Sequence, residues 1–337
     1  MAFSSISSFQ STMIRSGPPT LGTLWSNKLA SLGNIQMMFN SLNISNDGNY
    51  MLIINSNYSP VYLTTNGGTS WTTISGIQNI YVTTMSASGQ YMYAASTNAS
   101  PTFFYSSNFG VTWSSYSLTS IVGSSNASFS TICSSSTGQY VVACIYNKSV
   151  YLSQNFGLTF TNIGSNVGSG TNPWNMATIS PDGTKIAVTN DIANSSTCTY
   201  YTTNNGTSWS AIGPSISTSN IIPTINITNS GLMLFSTFAS SVIYITRNSG
   251  GTWTSNSSLS TVITTQGMSA DGQIMCIGSY GANYIWYSKD AGITWNAALS
   301  LGHNSLQCQS ISVSNNGKYM AIICVENNTT WAIEVSW

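Results

Sequence analysis

One eight-residue phrase recurs six times in this chain and restricts its fold more than any other feature. The copies occupy residues 64–71, 106–113, 153–160, 202–209, 246–253 and 288–295. The common form is Ser/Thr-x-Asn/Asp-x-Gly-x-Ser/Thr-aromatic. Its amide or carboxylate members are Asn66, Asn108, Asn155, Asn204, Asn248 and Asp290, and its closing rings are Trp71, Trp113, Phe160, Trp209, Trp253 and Trp295. Asn and Asp accept hydrogen bonds from nearby backbone N–H groups and tolerate left-handed dihedrals. Gly supplies positive φ without steric cost. The second hydroxyl ties the turn again, and the ring buries enough apolar area to pin the hairpin to its sheet. Every part of the phrase is therefore expected to be a structural staple, not catalytic machinery.

The phrase strongly resembles the Asp-box, or BNR repeat, of sialidase-like β-propellers. That resemblance implies an all-β propeller of four-stranded blades. A second signature accompanies it. Turns ending in Gly48, Gly89, Gly138, Gly183, Gly231, Gly272 and Gly317 recur every 41 to 49 residues. Each is followed by a short apolar run, such as Tyr50-Met51-Leu52-Ile53-Ile54, which fits a strand buried on both faces. The rings Trp25, Trp71, Trp113, Phe160, Trp209, Trp253 and Trp295 form a ladder of seven rungs. No box follows the last apolar strand, near Trp331 to Val335, whereas Gly22-Thr23-Leu24-Trp25-Ser26 imitates the close of one. The expectation is a seven-bladed propeller spanning residues 21–337, its last blade closed by a strand swap between the termini. Residues 1–20, Ser-rich and aperiodic, read as an N-terminal arm.

Charged residues are only 4% of the chain, seven basic against seven acidic. Neither a nucleic-acid footprint nor a polybasic membrane patch can be built from so few cations. No stretch approaches transmembrane length, and the first residues lack the apolar core and cleavage pattern of a secretory signal, so neither feature is expected. Cys133, Cys144, Cys198, Cys276, Cys308 and Cys324 form no CxxC pair, and one histidine is too few for a metal site, so no metal or cofactor is expected. Cys308 and Cys324 flank one turn and could face each other across a hairpin, as a disulfide or as free thiols.

Strand order places the Gly turns and the boxes on one face and the longer, variable loops on the other. Propellers usually bind on such a loop face. The candidate ligand-binding residues there are Tyr58, Tyr146, Trp174, Asp191, Tyr280, His303 and Glu326. Sialidases grip the substrate carboxylate with three arginines, but this chain has only Arg15 and Arg247, in the arm and in a box. A glycosidase needs two carboxyls within about 10 Å. Only Asp191 and Glu326 lie in loops of that face, and they fall in the fourth and seventh repeats. The expectation is a non-catalytic structural or protein-interaction module. Its wording around residues 268–273 and 287–295 is similar to that of propellers from large DNA viruses and aquatic microbes, which implies a virion or surface-assembly component with protein partners. The alternative is a lectin that stacks Tyr and Trp rims on glycans, and a hydrolase ranks third. Sequons at Asn43, Asn98, Asn126, Asn194 and Asn256 follow from the composition alone.

Overall fold

The computed structural model describes residues 25–27, 39–55, 60–96, 101–119, 128–167, 173–190, 199–214, 223–237, 241–259, 262–282, 284–299, 306–326 and 330–336. Residues 1–20 lie outside this set. Strand β1 (Trp25–Asn27) precedes the first sheet. That sheet is β2 (Phe39–Ile44), β3 (Met51–Asn55), β4 (Val61–Thr64) and β5 (Thr72–Thr73). The second is β6 (Ile80–Met85), β7 (Met92–Ser96), β8 (Thr102–Ser106) and β9 (Ser114–Ser117). The third is β10 (Phe129–Ser134), β11 (Val141–Ile145), β12 (Val150–Ser153) and β13 (Thr161–Asn162). The fourth is β14 (Trp174–Ile179), β15 (Ile186–Asn190), β16 (Thr199–Thr202) and β17 (Ser210–Ile212). The fifth is β18 (Pro223–Ile227), β19 (Met233–Thr237), β20 (Ile243–Thr246) and β21 (Thr254–Asn256).

The remaining strands overturn the expectation of seven blades with a closed strand-swap blade at the end. β22 (Val262–Met268), β23 (Met275–Ala282), β24 (Tyr284–Ser288), β25 (Asn296–Leu299), β26 (Leu306–Val313), β27 (Met320–Glu326) and β28 (Thr330–Ser336) join β1 in one eight-stranded sheet. The described strands thus form six sheets, and no separate seventh blade exists among them. β23 pairs with β26 through Tyr280↔Gln307 and Ala282↔Leu306. β1 sits at the far end of the same sheet, against β28. Gly278 makes the fusion sterically possible: a Cβ there would lie 2.5 Å from the Cβ of Cys308. Cys308 and Cys324 are register partners and buried free thiols, their sulfurs 3.4 Å apart.

All pairings are antiparallel, and the second strands β7, β11, β15 and β19 are buried along their whole length. The core is divided among the junctions between sheets. Leu52, Ile54 and Val61 of the first sheet meet Ile80 and Met92 of the second, and the contact repeats around the ring. The ring closes where Leu42, Met51 and Ile53 pack on Ala321 and Ile323 of β27. Each buried aliphatic side chain is worth about 1.5–3 kcal/mol.

The boxes fold as their chemistry dictates. Thr64, Ser106, Ser153, Thr202, Thr246 and Ser288 are all at most 2% exposed. In the fourth sheet the Thr202 hydroxyl donates to Asn204 Oδ1 at 2.8 Å and accepts from Gly206 N–H at 3.1 Å. Asn204 Oδ1 then accepts from Ser208 N–H at 3.0 Å, and its Nδ2 donates to Ser208 Oγ at 2.9 Å. The other boxes repeat this bonding with little variation. The residue before each box glycine also adopts positive φ, as at Phe109, Phe156, Asn205, Ser249 and Ala291. Its N–H ties the box to the inner turn of the same sheet, for example Phe156 to Gln139 O at 2.9 Å.

A feature of the Gly turns escaped the sequence reading. Three residues before each turn glycine stands a hydroxyl: Ser45, Ser86, Ser135, Ser180, Thr228, Ser269 and Ser314, each at most 1% exposed. Each accepts a backbone N–H that the turn would otherwise strand, as Ser180 Oγ does from Lys185 at 2.9 Å. Burying a hydroxyl is costly unless it is bonded this way.

Candidate functional site

The inner strands β2, β6, β10, β14, β18, β22 and β26 contact one another in turn, and β26 returns to β2. They surround a central channel. On the face carrying the Gly turns and boxes, backbone bonds link turn to turn: Asn46 N–H to Ala87 O, Ala87 N–H to Ser136 O, and Ser136 N–H to Pro181 O, at 2.7–2.8 Å. Asn316 N–H reaches back to Asn46 Oδ1 at 3.1 Å. Across the mouth, Asn315 Nδ2 donates to Ser136 Oγ at 2.6 Å. Behind this bar lies a cavity of about 120 Å³ lined by Ser134, Ser136, Thr178, Asn226, Ser269 and Asn315. Its walls are uncharged, with hydroxyls and amides beside Ile179, Ile227 and Met268, and the cross-mouth bond obstructs entry from this side.

The opposite, loop-face mouth carries a repeated device that sequence reasoning missed. The inner-strand register breaks by one residue at Asn40, Tyr81, Ser130, Asn175, Thr264 and Gln309. Each of these β-bulges lies eight residues before a turn glycine, and that fixed spacing was the available signal. The fifth sheet has Pro223 at this place and keeps a regular register. A bulge turns a side chain out of the ladder and is common beside binding sites. Tyr81 is 39% exposed, and Gln309 is exposed as well. Asn175 is half-buried. Ser130 and Thr264 instead bond backbone carbonyls, Cys144 O at 3.2 Å and Cys308 O at 2.6 Å.

The sequence-derived candidates separate under this geometry. Tyr146, in the turn between β11 and β12, and Tyr280, near the end of β23, are exposed on the loop face. Trp174 is 1% exposed and stacks edge-on to Tyr200 within the core between the third and fourth sheets. It occupies the same repeat position as Ile80, Phe129, Ile263 and Cys308, all equally buried. Beside it in register, Asn190 is 1% exposed, and both its amide atoms lack a hydrogen-bond partner. Glu326 ends β27, pairing through its backbone with Leu306 and Thr330. Tyr58, Asp191 and His303 lie outside the described residues.

Asp47, Asp182, Asp271 and Asp290 serve their own turns on the far face. Burial raises the pKa of Asp47, but bonds from Ser45 and Asn49 outweigh it and leave it lowered. Asp182 is lowered in the same way by Ser180, Thr184 and Lys185. Two bonds from Thr294 bring Asp290 from 3.8 to about 2, with burial opposing and Ser288 assisting. A carboxyl whose folded pKa is depressed stabilises the fold above its unfolded pKa, and that contribution is lost as pH falls through the folded value. Stability is therefore expected to drop between pH 3.8 and about 2 as Asp290 gains its proton. In Asp290→Asn the side chain can mimic the five asparagine boxes. Its stability at pH 7 is expected to stay within about 0.5 kcal/mol of the parent, with a shallower acid limb. Melting temperatures measured against pH for both proteins check this. No group of three His, Cys, Asp or Glu suited to a metal ion occurs among the described residues. None of their helices is long and apolar enough to cross a membrane.

Fold and repeat together define the class: a β-propeller carrying Asp-boxes. The BNR/Asp-box repeat family matches residues 286–297. No curated protein sequence matches the chain. Among solved structures, YCF48 bound to D1 peptide is similar at 14% identity and a TM-score of 0.65, covering 94% of this chain and 99% of that one. The Niastella koreensis GH74 enzyme is similar at 13% identity and a TM-score of 0.67, with 88% of this chain matched to 53% of the enzyme. The Swd1 β-propeller domain of Myceliophteria thermophila gives 10% identity and a TM-score of 0.62, over 89% and 96% of the two chains. At these identities the likeness concerns the fold.

Proposed function

We propose that this chain is a non-catalytic propeller that holds a protein segment across the loop-face mouth of its ring. The observation that carries this reading is the repeated bulge, which presents Tyr81, Asn175 and Gln309 at one mouth. Primary amides match the donor–acceptor pattern of a peptide backbone, and an exposed Tyr offers a rigid, amphipathic contact. Asp47, Asp182, Asp271 and Asp290 are committed to turns on the other face. The likeness to YCF48, solved with a bound peptide, agrees with this reading. The same reading extends to a place in a virion or surface assembly, where a charge-poor ring would pack against neighbours.

Selection of a displayed peptide library on the full chain tests the proposal. Selected peptides are expected to lose about tenfold or more in affinity on combined Tyr81→Ala and Gln309→Ala, because interface energy concentrates in a few residues. Val111→Ser, on the box face, should leave binding intact. Peptides indifferent to the double change would overturn the assignment. A second reading, glycan binding, rests on the exposed rings of Tyr146 and Tyr280, 45% and 53% accessible. Saccharide binding lost on Tyr280→Ala, with no peptide selected, would favour it.

A further inference from the structure

A second concave site lies away from the mouth, where the fifth sheet meets the box of the next repeat. Its volume is about 510 Å³, and Ile245, Arg247, residues 254–258, Gly292 and Ile293 line it. Arg247 is one of two arginines in the sequence and faces this groove. One of its donors, Nη2, binds Ala291 O at 2.6 Å. It makes no ion pair with a carboxylate among the described residues. The nearest acid in sequence on the opposite wall, Asp290, turns both oxygens into its own box, towards Thr294. Lys289 sits over the Tyr287 ring, 5.4 Å from its centroid.

The other walls add two further features. β21 is the outermost strand of its sheet and, among the described residues, pairs only with β20, which leaves its outer backbone edge open to them. Ile293, 73% exposed, places an aliphatic side chain beside the cation. An open strand edge accepts an extended chain through main-chain bonds, while adjacent pockets select side chains. Arg has five donors in a planar fork that suits a carboxylate. We propose that this groove binds an extended acidic peptide segment, laid along β21 with a carboxylate on Arg247 and an aliphatic neighbour against Ile293. A lone cation beside an open strand edge fits a peptide better than a sulfated polysaccharide, which calls for clustered cations. The groove is separate from the channel mouth, so its test stands apart from the proposal made there.

Fluorescence anisotropy on the full chain decides the matter, using fluorescein-labelled Thr-Val-Asp-Val-Thr-Val and its Asn counterpart. The Asp peptide is expected to bind at least about tenfold tighter than the Asn peptide, as a charge-assisted contact should. Arg247→Gln should erase that preference, and Arg247→Lys should keep part of it. Ile293→Asp alters an exposed side chain, so it should melt like the parent yet lose the Asp peptide. Equal binding of the two peptides, no binding of either, or a preference that survives Arg247→Gln would overturn the proposal. A heparin oligosaccharide bound in preference to the Asp peptide, and lost on Arg247→Gln, would reassign the groove to sulfated glycans and equally overturn it.

Discussion

Replacing Trp174 with alanine is expected to destabilise the protein by about 3–5 kcal/mol, the range for emptying a buried aromatic site. For a domain of this size that corresponds to a melting temperature lower by roughly 4–7 °C. Among the described residues Trp174 is the largest of the fully buried side chains. It fills the junction of Val142, Cys144, Ile179 and Val188, so its removal leaves a void walled by two sheets. The comparison residue is Tyr280, 53% exposed, where alanine should cost no more than about 0.5 kcal/mol. Thermal melting of the two variants side by side checks the contrast. An unchanged melting temperature for Trp174→Ala, coupled to loss of ligand binding, would restore Trp174 to the binding surface.

Gly206→Ala should cost about 3 kcal/mol. Left-handed backbone costs a non-glycine residue roughly 1–2 kcal/mol, and forced overpacking adds about 1–3 kcal/mol. The residue has φ of +80°, and a Cβ there would stand 2.5 Å from Ile163 Cβ and 3.1 Å from the Ile163 carbonyl oxygen. Backbone on one side leaves the methyl nowhere to go. Gly76 separates the two causes, for its φ is +83° and a Cβ would meet nothing within 4 Å. Gly76→Ala should therefore show the backbone cost alone, about 1–2 kcal/mol. Equal losses at the two sites would mean that the close approach between sheets contributes nothing. The same approach recurs at Gly110 against Leu63, Gly157 against Phe103, Gly250 against Ile212 and Gly292 against Ile245. Five of the six boxes are thus hairpin staples and also the latches that seat their sheets on the preceding ones.

That double role was half visible in the sequence. The amide, hydroxyl and glycine of a box bond one another within eight residues, so their chemistry could be read without any fold. The contact between Gly206 and Ile163 joins residues of different sheets, and no spacing rule within the box announces it. Trp174 shows the complementary failure. A loop between variable segments suggested a ligand contact, whereas its distance from the turn at Gly183 puts it in line with Phe129 and Ile80, which are core. Arg247 stands in a box, and the local phrase assigns it no ligand. Its neighbour across the junction, Ile293, lies 46 positions further on, and the groove between them exists only once two sheets are packed.

By itself the sequence determined the all-β class, the six boxes, the buried second strands and the face on which the turns lie. These follow from local hydrogen bonding and from apolar runs whose period is that of a strand. Only the tertiary structure decided how the sheets are divided, which loop-face side chains are open, and where concave sites form. Seven equivalent repeats in sequence became six sheets because β23 and β26 approach closely enough at Gly278 to share hydrogen bonds. Such an approach is set by the packing of side chains distant in the chain, and no repeat carries it on its own.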